Sequence, residues 1–307
     1  MSDILWYNTE SGETQIWLMN KEQRVERATV VDENKKPALI GPPWHIVGAG
    51  NVSGVGVDQI VWHNRDTNET QLWRLEDFGI TGQRTGRAAV VDENKQPALE
   101  GAPWHIVGLG DFNLNGNAGL LWYNTSSGET QTWFMKKLGV GSPFTVQRTG
   151  RRTIVDENNK AALIGPPWHI VGVGNFGAGT SGASTDDILW YNTTTGETQI
   201  WFMNKERRDG RETVVDENNK AALIGPPWRI VGVGSLDGTG TADILWYDSM
   251  TGETQMWFMN KQHRVDRETV VDENRQPALI GPPWHIVGVG SFGAFPPSSP
   301  TDPDGPA

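Results

Sequence analysis

Short apolar stretches alternate with polar stretches rich in glycine, proline and asparagine along the chain, and this pattern repeats. The clearest marker is Gly-Pro-Pro-Trp-His-Ile-Val-Gly at residues 41–48. It returns with few changes around Trp104, Trp168, Trp228 and Trp284, which makes five copies in 307 residues. Units of this size bury a core only by stacking on one another, so we expect a repeat array.

Each copy contains four stretches rich in β-branched and aromatic residues, which predict four β-strands. In the first copy they are 45–50, Asp3–Asn8, Thr14–Asn20 and 27–31. The polar loop at 8–13 includes Gly12, which suits the positive φ of a hairpin turn. No stretch shows helical periodicity over a useful length.

The predicted strands are apolar on both faces. Ile16 and Leu18 point to one side of the sheet, while Trp17 and Met19 point to the other. A sheet with water on one face would alternate apolar with polar residues. We therefore predict an all-β fold: a five-bladed β-propeller of four-stranded antiparallel blades. An open stack would need polar end units, and no copy has that character.

The two ends of the chain fit one blade. The chain begins at a second strand, and 285–290 supplies a lone first strand. Pairing of 285–290 with Asp3–Asn8 would complete the fifth blade and close the ring. We expect a single propeller domain at 1–294 and a disordered tail at 295–307, which is rich in Pro, Ser and Asp.

Spacing within the repeat separates packed elements from loops. The fifteen Trp form three sets, of which the first two lie 11 residues apart in every copy. Length varies only after the second Trp and after Val-Gly-x-Gly, so both gaps are predicted to be loops. Two connections keep a constant length: the hairpin at 8–13 and the connection at 32–44. Propeller topology places these two together, at an edge that we call the constant rim.

Composition excludes several classes of function. With no Cys, the chain has no disulfide, thiolate metal site or cysteine nucleophile. A net charge of -11 disfavours nucleic-acid binding, and no apolar run is long enough for membrane insertion. No signal peptide is visible, so we expect a cytoplasmic protein or one released by a non-classical route. Oligomeric state is open.

Trp-His-Ile-Val-Gly-Val-Gly, a Gly/Asn/Asp loop and Asp-Ile-Leu-Trp-Tyr-Asn together resemble the FG-GAP or VCBS type of propeller repeat over residues 3–292. Such repeats occur in bacterial surface proteins and in bacterial and fungal propeller lectins. In that family the loop often reads Asp-x-Asn-x-Asp-Gly-x-x-Asp and binds Ca²⁺. Here the loop is eroded, and only those at Asp111 and Asp237 keep part of it. We favour plain turns there, and expect no metal and no cofactor.

The sequence disfavours catalysis and favours multivalent binding. His45, His105, His169 and His285 are equivalent, but Arg229 takes the fifth position, so imidazole is not strictly required. No Ser/His/Asp order or metal-type His spacing is present. Equivalent pockets gain avidity on a target that repeats its epitope, as glycans do. We therefore expect a non-enzymatic lectin that binds glycans or glycoproteins. The alternative is a protein-binding or adhesion scaffold without a sugar site.

The candidate sugar-binding residues recur in every copy between blades at the constant rim. They are Glu13, Asp32, Asn34, Trp44, His45, Glu69, Asp92, Asn94, Trp104, His105, Glu129, Asp156, Asn158, Trp168, His169, Glu197, Asp216, Asn218, Trp228, Arg229, Glu253, Asp272, Asn274, Trp284 and His285. Each residue type also has a structural alternative. Trp44 would be a packing wedge between blades, and Asp32 and Asn34 would close an Asx-type turn. Glu13 would form an exposed ion pair with Arg27.

Overall fold

The computed structural model describes residues 1–54, 57–76, 81–138, 145–177 and 185–293. These residues form twenty β-strands, and none of them lies in a helix. The first ten are β1 (Asp3–Asn8), β2 (Thr14–Asn20), β3 (Gln23–Val31), β4 (Trp44–Gly50), β5 (Gln59–Asn64), β6 (Thr70–Glu76), β7 (Thr81–Val91), β8 (Trp104–Gly110), β9 (Gly119–Asn124) and β10 (Thr130–Leu138). The others are β11 (Thr145–Thr153), β12 (Trp168–Gly174), β13 (Asp187–Asn192), β14 (Thr198–Asn204), β15 (Arg207–Thr213), β16 (Trp228–Gly234), β17 (Asp243–Asp248), β18 (Thr254–Asn260), β19 (His263–Thr269) and β20 (Trp284–Gly290). The predicted all-β class is confirmed.

The strands form five antiparallel four-stranded units. The first unit is β20-β1-β2-β3, and the second to fifth are β4–β7, β8–β11, β12–β15 and β16–β19. The first unit therefore takes its inner strand from the far end of the chain. Asp3 lies opposite Gly290 and Asn8 opposite Trp284, which is the pairing that the sequence predicts.

Neighbouring units meet at both their inner and outer strands. Each inner strand contacts the next in the order β4, β8, β12, β16 and β20, and β20 contacts β4. At the outer edge the end of one outer strand lies parallel to the start of the next, as with Val31 and Gln83. Corresponding bridges join Val91 to Gln147, Val155 to Arg207, Val215 to His263 and Val271 to Gln23. Hydrogen bonding merges the first three units into a twelve-stranded sheet and leaves the fourth and fifth as separate sheets.

Two predicted element boundaries are wrong. The outer strand of the first unit begins at Gln23, four residues before the predicted start, because its first residues bridge to the fifth unit at Val271. The gap after the second Trp is also not simply a loop. Residues 81–86 belong to β7, and β10 runs to Leu138, so these insertions partly lengthen a hairpin. The insertion at 175–186 lies outside strands in its described parts, 175–177 and 185–186.

The core lies between the units. Leu5 and Ile16 of the first unit pack against Trp62 and Trp73 of the second. Within a unit the two strand Trp rings pack against each other at a tilt, with centroids 4.6 Å apart and planes at 38° for Trp6 and Trp17. The equivalent pairs are Trp62–Trp73, Trp122–Trp133, Trp190–Trp201 and Trp246–Trp257. All of these rings are at most 1% exposed, so both faces of each sheet are covered by its neighbours.

Within the described residues, no helix has the length and apolar character needed to span a bilayer. The predicted tail at 295–307 lies outside the described residues, as does its boundary with the predicted domain at residue 294.

Candidate functional site

The hairpin loop and the connection of constant length lie against each other in the first unit. The backbone N–H of Ile40 donates to the carbonyl oxygen of Gly12 at 3.1 Å, and the Tyr7 hydroxyl donates to the carbonyl of Ile40 at 2.7 Å. Gly12 has a φ of 75°, and a Cβ there would lie 2.6 Å from the Ile40 oxygen. Backbone conformation and close approach therefore both require glycine.

Each connection then reaches the hairpin loop of the following unit. The backbone N–H of Arg65 donates to the carbonyl of Pro43 at 3.1 Å. Equivalent bonds join Thr125 to Pro103, Thr193 to Pro167, Ser249 to Pro227 and Thr9 to Pro283. Every Pro-Trp stretch is thus bonded to the hairpin loop of the following unit. The connections that contain Ile40, Ile164, Ile224 and Ile280 are also bonded to the hairpin loop of their own unit.

A pocket of about 610 Å³ opens at this position on the boundary between the first and second units. Its lining residues come from the first unit's hairpin, the connection and the second unit's hairpin: Tyr7, Thr9, Pro42, Pro43, Trp44, His45, Arg65 and Asp66. The walls therefore combine aromatic rings, hydroxyls and charges of both signs. Apolar walls with a few polar groups are typical of small-ligand sites.

Trp44 has two roles at this pocket. Its ring is half-buried and packs on the core cluster between the first and second units. Part of the ring therefore acts as the predicted packing wedge, and the rest lines the pocket. Its equivalents pack in the same way at the other four boundaries: Trp104, Trp168, Trp228 and Trp284.

His45 lies in the pocket wall, beside a second imidazole that only the second unit carries. Its ring centroid is 5.7 Å from that of His63, which occupies the position of Tyr7. The Nδ1 of His63 is 3.1 Å from the Thr70 hydroxyl, while the buried Nδ1 of His45 has no hydrogen-bond partner among the described residues. Burial lowers the pKa of both imidazoles to about 4, and the charge on Arg65 acts in the same direction. Both rings are therefore neutral at physiological pH.

The residues equivalent to His45 have different surroundings. His105, His169 and Arg229 are exposed, and His285 is half-buried. The guanidinium of Arg229 lies 5.2 Å from the ring centroid of Tyr247. Arg229 therefore brings a positive charge to the fourth–fifth boundary, where the equivalent residue at the other boundaries is a His, and the distance is that of a cation–π contact.

The Asp and Asn candidates close turns and do not face the pocket. Asp32 Oδ1 accepts the backbone N–H of Asn34 at 2.8 Å and that of Lys36 at 2.9 Å. The same bonds recur at Asp92, Asp156, Asp216 and Asp272, with Asn94, Asn158, Asn218 and Asn274 as donors. The Asx-type turn that the sequence offers as the alternative is therefore present in each copy.

The predicted ion pair between Glu13 and Arg27 is wrong. Glu13 Oε1 accepts hydrogen bonds from the Gln15 amide at 3.0 Å and the Thr29 hydroxyl at 3.3 Å. The strand register explains this choice of partner. Thr29 lies opposite Gln15, whereas Arg27 lies opposite Trp17, farther along the strand from Glu13, and is exposed. Glu129, Glu197 and Glu253 also bond the equivalent Thr, whereas Glu69, opposite an Ala, accepts from Thr67. Among the described residues, Glu13 does not line the pocket between the first and second units.

A different carboxylate forms the ion pair that joins the units. Arg84 binds Glu33 with both ends of its guanidinium, at 3.1 and 2.7 Å, and stacks 4.5 Å from the centroid of Trp73. Glu33 belongs to the first unit and Arg84 to the second. The same arrangement joins Arg148 to Glu93, Arg208 to Glu157, Arg264 to Glu217 and Arg24 to Glu273. We call these the circumferential pairs.

Sequence reasoning missed the circumferential pairs because the distance from the second Trp to the Arg varies. It is 7 residues from Trp17 to Arg24 but 11 from Trp73 to Arg84, since an insertion lies between. The spacing C-terminal to each Arg is constant and could have identified the pairs: each of these Arg precedes the next Asp-Glu-Asn by 8 residues. Hydrogen bonding to the guanidinium holds the pKa of Glu33, Glu157, Glu217 and Glu273 at about 2.

The two loops that partly match the calcium motif are hydrogen-bonded turns. Asp111 accepts the backbone N–H of Asn113 at 3.1 Å and of Gly116 at 2.7 Å. Asp237 accepts the backbone N–H and hydroxyl of Thr239. Across the described ranges, no three His, Asp or Glu side chains are grouped so as to hold a metal ion.

Buried carboxylates fix the opposite edge of the sheets. Asp187 accepts the backbone N–H of Phe176 at 3.0 Å and of Met203 at 2.9 Å, and Asp3 binds Phe292 and Met19 in the same way. Burial raises the pKa of both groups to about 7, against the lowering effect of these hydrogen bonds. They tie the loop after an inner strand to the neighbouring strands of the same unit.

Comparison with protein-family models finds none that matches the chain, and comparison with curated proteins finds no similar sequence.

Proposed function

We propose that this protein is a multivalent lectin, with sugar sites between neighbouring units at the constant rim. The observation that carries the proposal is the pocket at the first–second boundary, where Tyr7 and Trp44 lie beside a hydroxyl, an imidazole and charged groups. Sugars are recognised by an aromatic face together with fixed polar groups. The hydrogen bond from the following hairpin loop to the Pro-Trp stretch recurs at all five boundaries, which supports repeated sites.

The fold that would present these sites is a closed five-bladed β-propeller of the FG-GAP or VCBS kind. Two cyclic sets of contacts support closure. The inner strands contact each other in a cycle that returns from β20 to β4. The circumferential pairs do the same, since Arg24 of the first unit binds Glu273 of the fifth. A ring points all its boundaries to one side, which is the geometry that avidity for a surface requires.

The proposal includes no catalytic role. The exposed candidates at the rim are spread over five boundaries, and the buried carboxylates Asp3 and Asp187 are bonded to backbone N–H groups within their own unit. Binding to glycans or glycoproteins requires neither a nucleophile nor a metal.

A glycan array followed by calorimetry tests the lectin proposal. We expect saturable binding to at least one neutral or acidic glycan, with more than one site per chain. Trp168→Ala, at the third–fourth boundary, should lower the number of sites without unfolding the protein. Absence of binding to every glycan on a diverse array would reject the proposal.

A specific observation favours a protein-binding scaffold as the second candidate. Each connection presents one exposed leucine at the same position: Leu39, Leu99, Leu163, Leu223 and Leu279, which are 55–61% exposed. Repeated exposed apolar side chains are typical of protein contacts. Leu39→Ser with Leu223→Ser should then abolish capture of a protein ligand, whereas a lectin would keep its glycan binding.

A further inference from the structure

The second unit has a different hairpin loop from the other four. Arg65 occupies the first position of its loop, and Asp66 follows it. The other four loops carry a small, uncharged residue at the first position: Thr9, Thr125, Thr193 and Ser249. The backbone of Arg65 makes the same hydrogen bond to the preceding connection as those residues make. The substitution therefore changes the side chain at a fixed place without altering the framework.

The Arg65 side chain is exposed and is one of the residues that line the pocket with Trp44 and Tyr7. In the described part of the chain its guanidinium makes no ion pair. This contrasts with Arg84 of the same unit, which is held by Glu33 and Trp73. A guanidinium that lines a pocket without an internal partner keeps its donors available to a ligand.

We propose that the first–second pocket is a distinct subsite for an acidic sugar, whose carboxylate binds Arg65 and whose ring packs on Trp44. The planar fork of a guanidinium matches the two oxygens of a carboxylate, which gives a charge-assisted bidentate contact. The Asp66 carboxylate is only an acceptor, so it would accept hydrogen bonds from sugar hydroxyls. The subsite deepens the proposed lectin function and rests on it.

The neighbouring groups fit an anionic ligand at neutral pH. His45 and His63 are uncharged there, so Arg65 is the one cation among the eight residues that line the pocket. Asp66 is the one acid in the same lining, and it would repel a bare anion. A ligand with both a carboxylate and hydroxyls satisfies the two side chains together, whereas an inorganic anion satisfies only Arg65.

Calorimetry at pH 7 with glucuronic acid and glucuronamide tests the subsite, because the two sugars differ only in the charged group. The wild-type chain should bind glucuronic acid at one site and more tightly than the amide. Arg65→Thr, which copies the residue of three other units, should weaken glucuronic acid binding about tenfold or more and leave glucuronamide unchanged. Arg65→Lys should retain part of the affinity, since it keeps the charge but loses the fork.

Arg87→Thr serves as the charge-matched control, since it removes an exposed Arg from the same unit outside the pocket. It should leave both affinities unchanged. Equal binding of glucuronic acid by Arg65→Thr and the wild type, an equal loss in Arg87→Thr, or no binding of glucuronic acid at all would overturn the subsite. In each of these results, glycan-array binding of neutral sugars would show that the lectin proposal itself survives. A fully silent array would reject both.

Discussion

The circumference of the molecule and its constant rim use repetition in opposite ways. At the circumference every boundary has the same Arg, the same Trp and the same Glu, with Nη2–Oε2 distances of 2.7–2.8 Å in all five pairs. At the rim the positions beside the Pro-Trp stretch differ: Arg65 replaces Thr, His63 replaces Tyr, and Arg229 replaces His.

The difference follows from what each region contacts. The Arg side chains of the circumferential pairs are 7–12% exposed and face another unit, so a change on one side would leave a charged group on the other without its partner. At the rim, Arg65 and Arg229 are exposed, and the loop framework is held by backbone hydrogen bonds that any residue except proline can make. Substitution at these exposed rim positions therefore costs little stability and is free to alter binding.

Low pH should disrupt the circumferential pairs at all five boundaries together, and this is the largest effect on stability that we expect. The pKa of Glu93 is lowered, and that of the other four Glu of these pairs is lowered to about 2. The stability that these four contribute is therefore complete above the ordinary value of 4.5 and is lost as the pH falls toward 2. His45 and His63, whose pKa is lowered from 6.5 to about 4, lose their contribution earlier, as the pH falls from 6.5 to about 4. We expect the Tm to drop steeply below about pH 4.

The buried carboxylates give the opposite slope at higher pH. Because the pKa of Asp3 and Asp187 is raised to about 7, their stability is complete below 3.8 and is lost as the pH rises through 7. The Tm should therefore rise modestly from pH 7 to about 5 before it falls. Scanning calorimetry from pH 2 to 8 measures both slopes, and repetition in added NaCl screens the repulsion due to net charge. A Tm that stays constant between pH 5 and 2 would contradict this view of the circumference.

Truncation of a core tryptophan should cost more than truncation of a rim tryptophan. Trp17→Ala removes a ring that is 1% exposed and packs against Trp6, so we expect a loss of about 3–5 kcal/mol in the free energy of unfolding. Trp104→Ala removes a half-buried ring and should cost about half as much. Urea denaturation followed by circular dichroism compares the two variants. Equal losses would show that the rim Trp are purely packing residues.

Loss of one circumferential pair should have the smallest effect on stability. Arg84→Met keeps much of the packing on Trp73 and removes two hydrogen bonds to Glu33, for an expected cost of about 1–2 kcal/mol, since Glu33 is 45% exposed. Arg87→Met, an exposed neighbour on the same strand, should change stability by less than about 0.5 kcal/mol. The same urea measurement applies. If Arg84→Met left the free energy of unfolding unchanged, the pair would set register and add no stability.

The strands could be predicted closely because their signal is local. The constant step from Trp6 to Trp17 and the apolar residues on both faces identify β1, β2 and the pairing with β20. The start of β3 could not be predicted, because it is fixed by a bridge to Val271 in another unit. Tertiary contacts of this kind leave no period in the local sequence.

The candidate site was predicted only in part. Trp44 and His45 lie in the pocket wall, where the sequence places them at the meeting of inner strand and rim. Asp32 and Glu13 carry the same recurrence, but recurrence cannot distinguish a ligand contact from a turn that every copy needs. Arg65 and Asp66 were missed for the converse reason, since a residue that occurs once in five copies does not belong to the repeat.

The first unit also sets the timing of assembly during synthesis. Thr9, the residue after β1, bonds to Pro283, which follows it by 274 residues. A ribosome adds about 5–20 residues per second, so the N-terminal strands wait roughly 15–55 s for β20. Until then the other four units can pair their strands in order, while one edge of β1 has no partner. β1 is thus synthesised well before β20 and is the last strand to receive its partner.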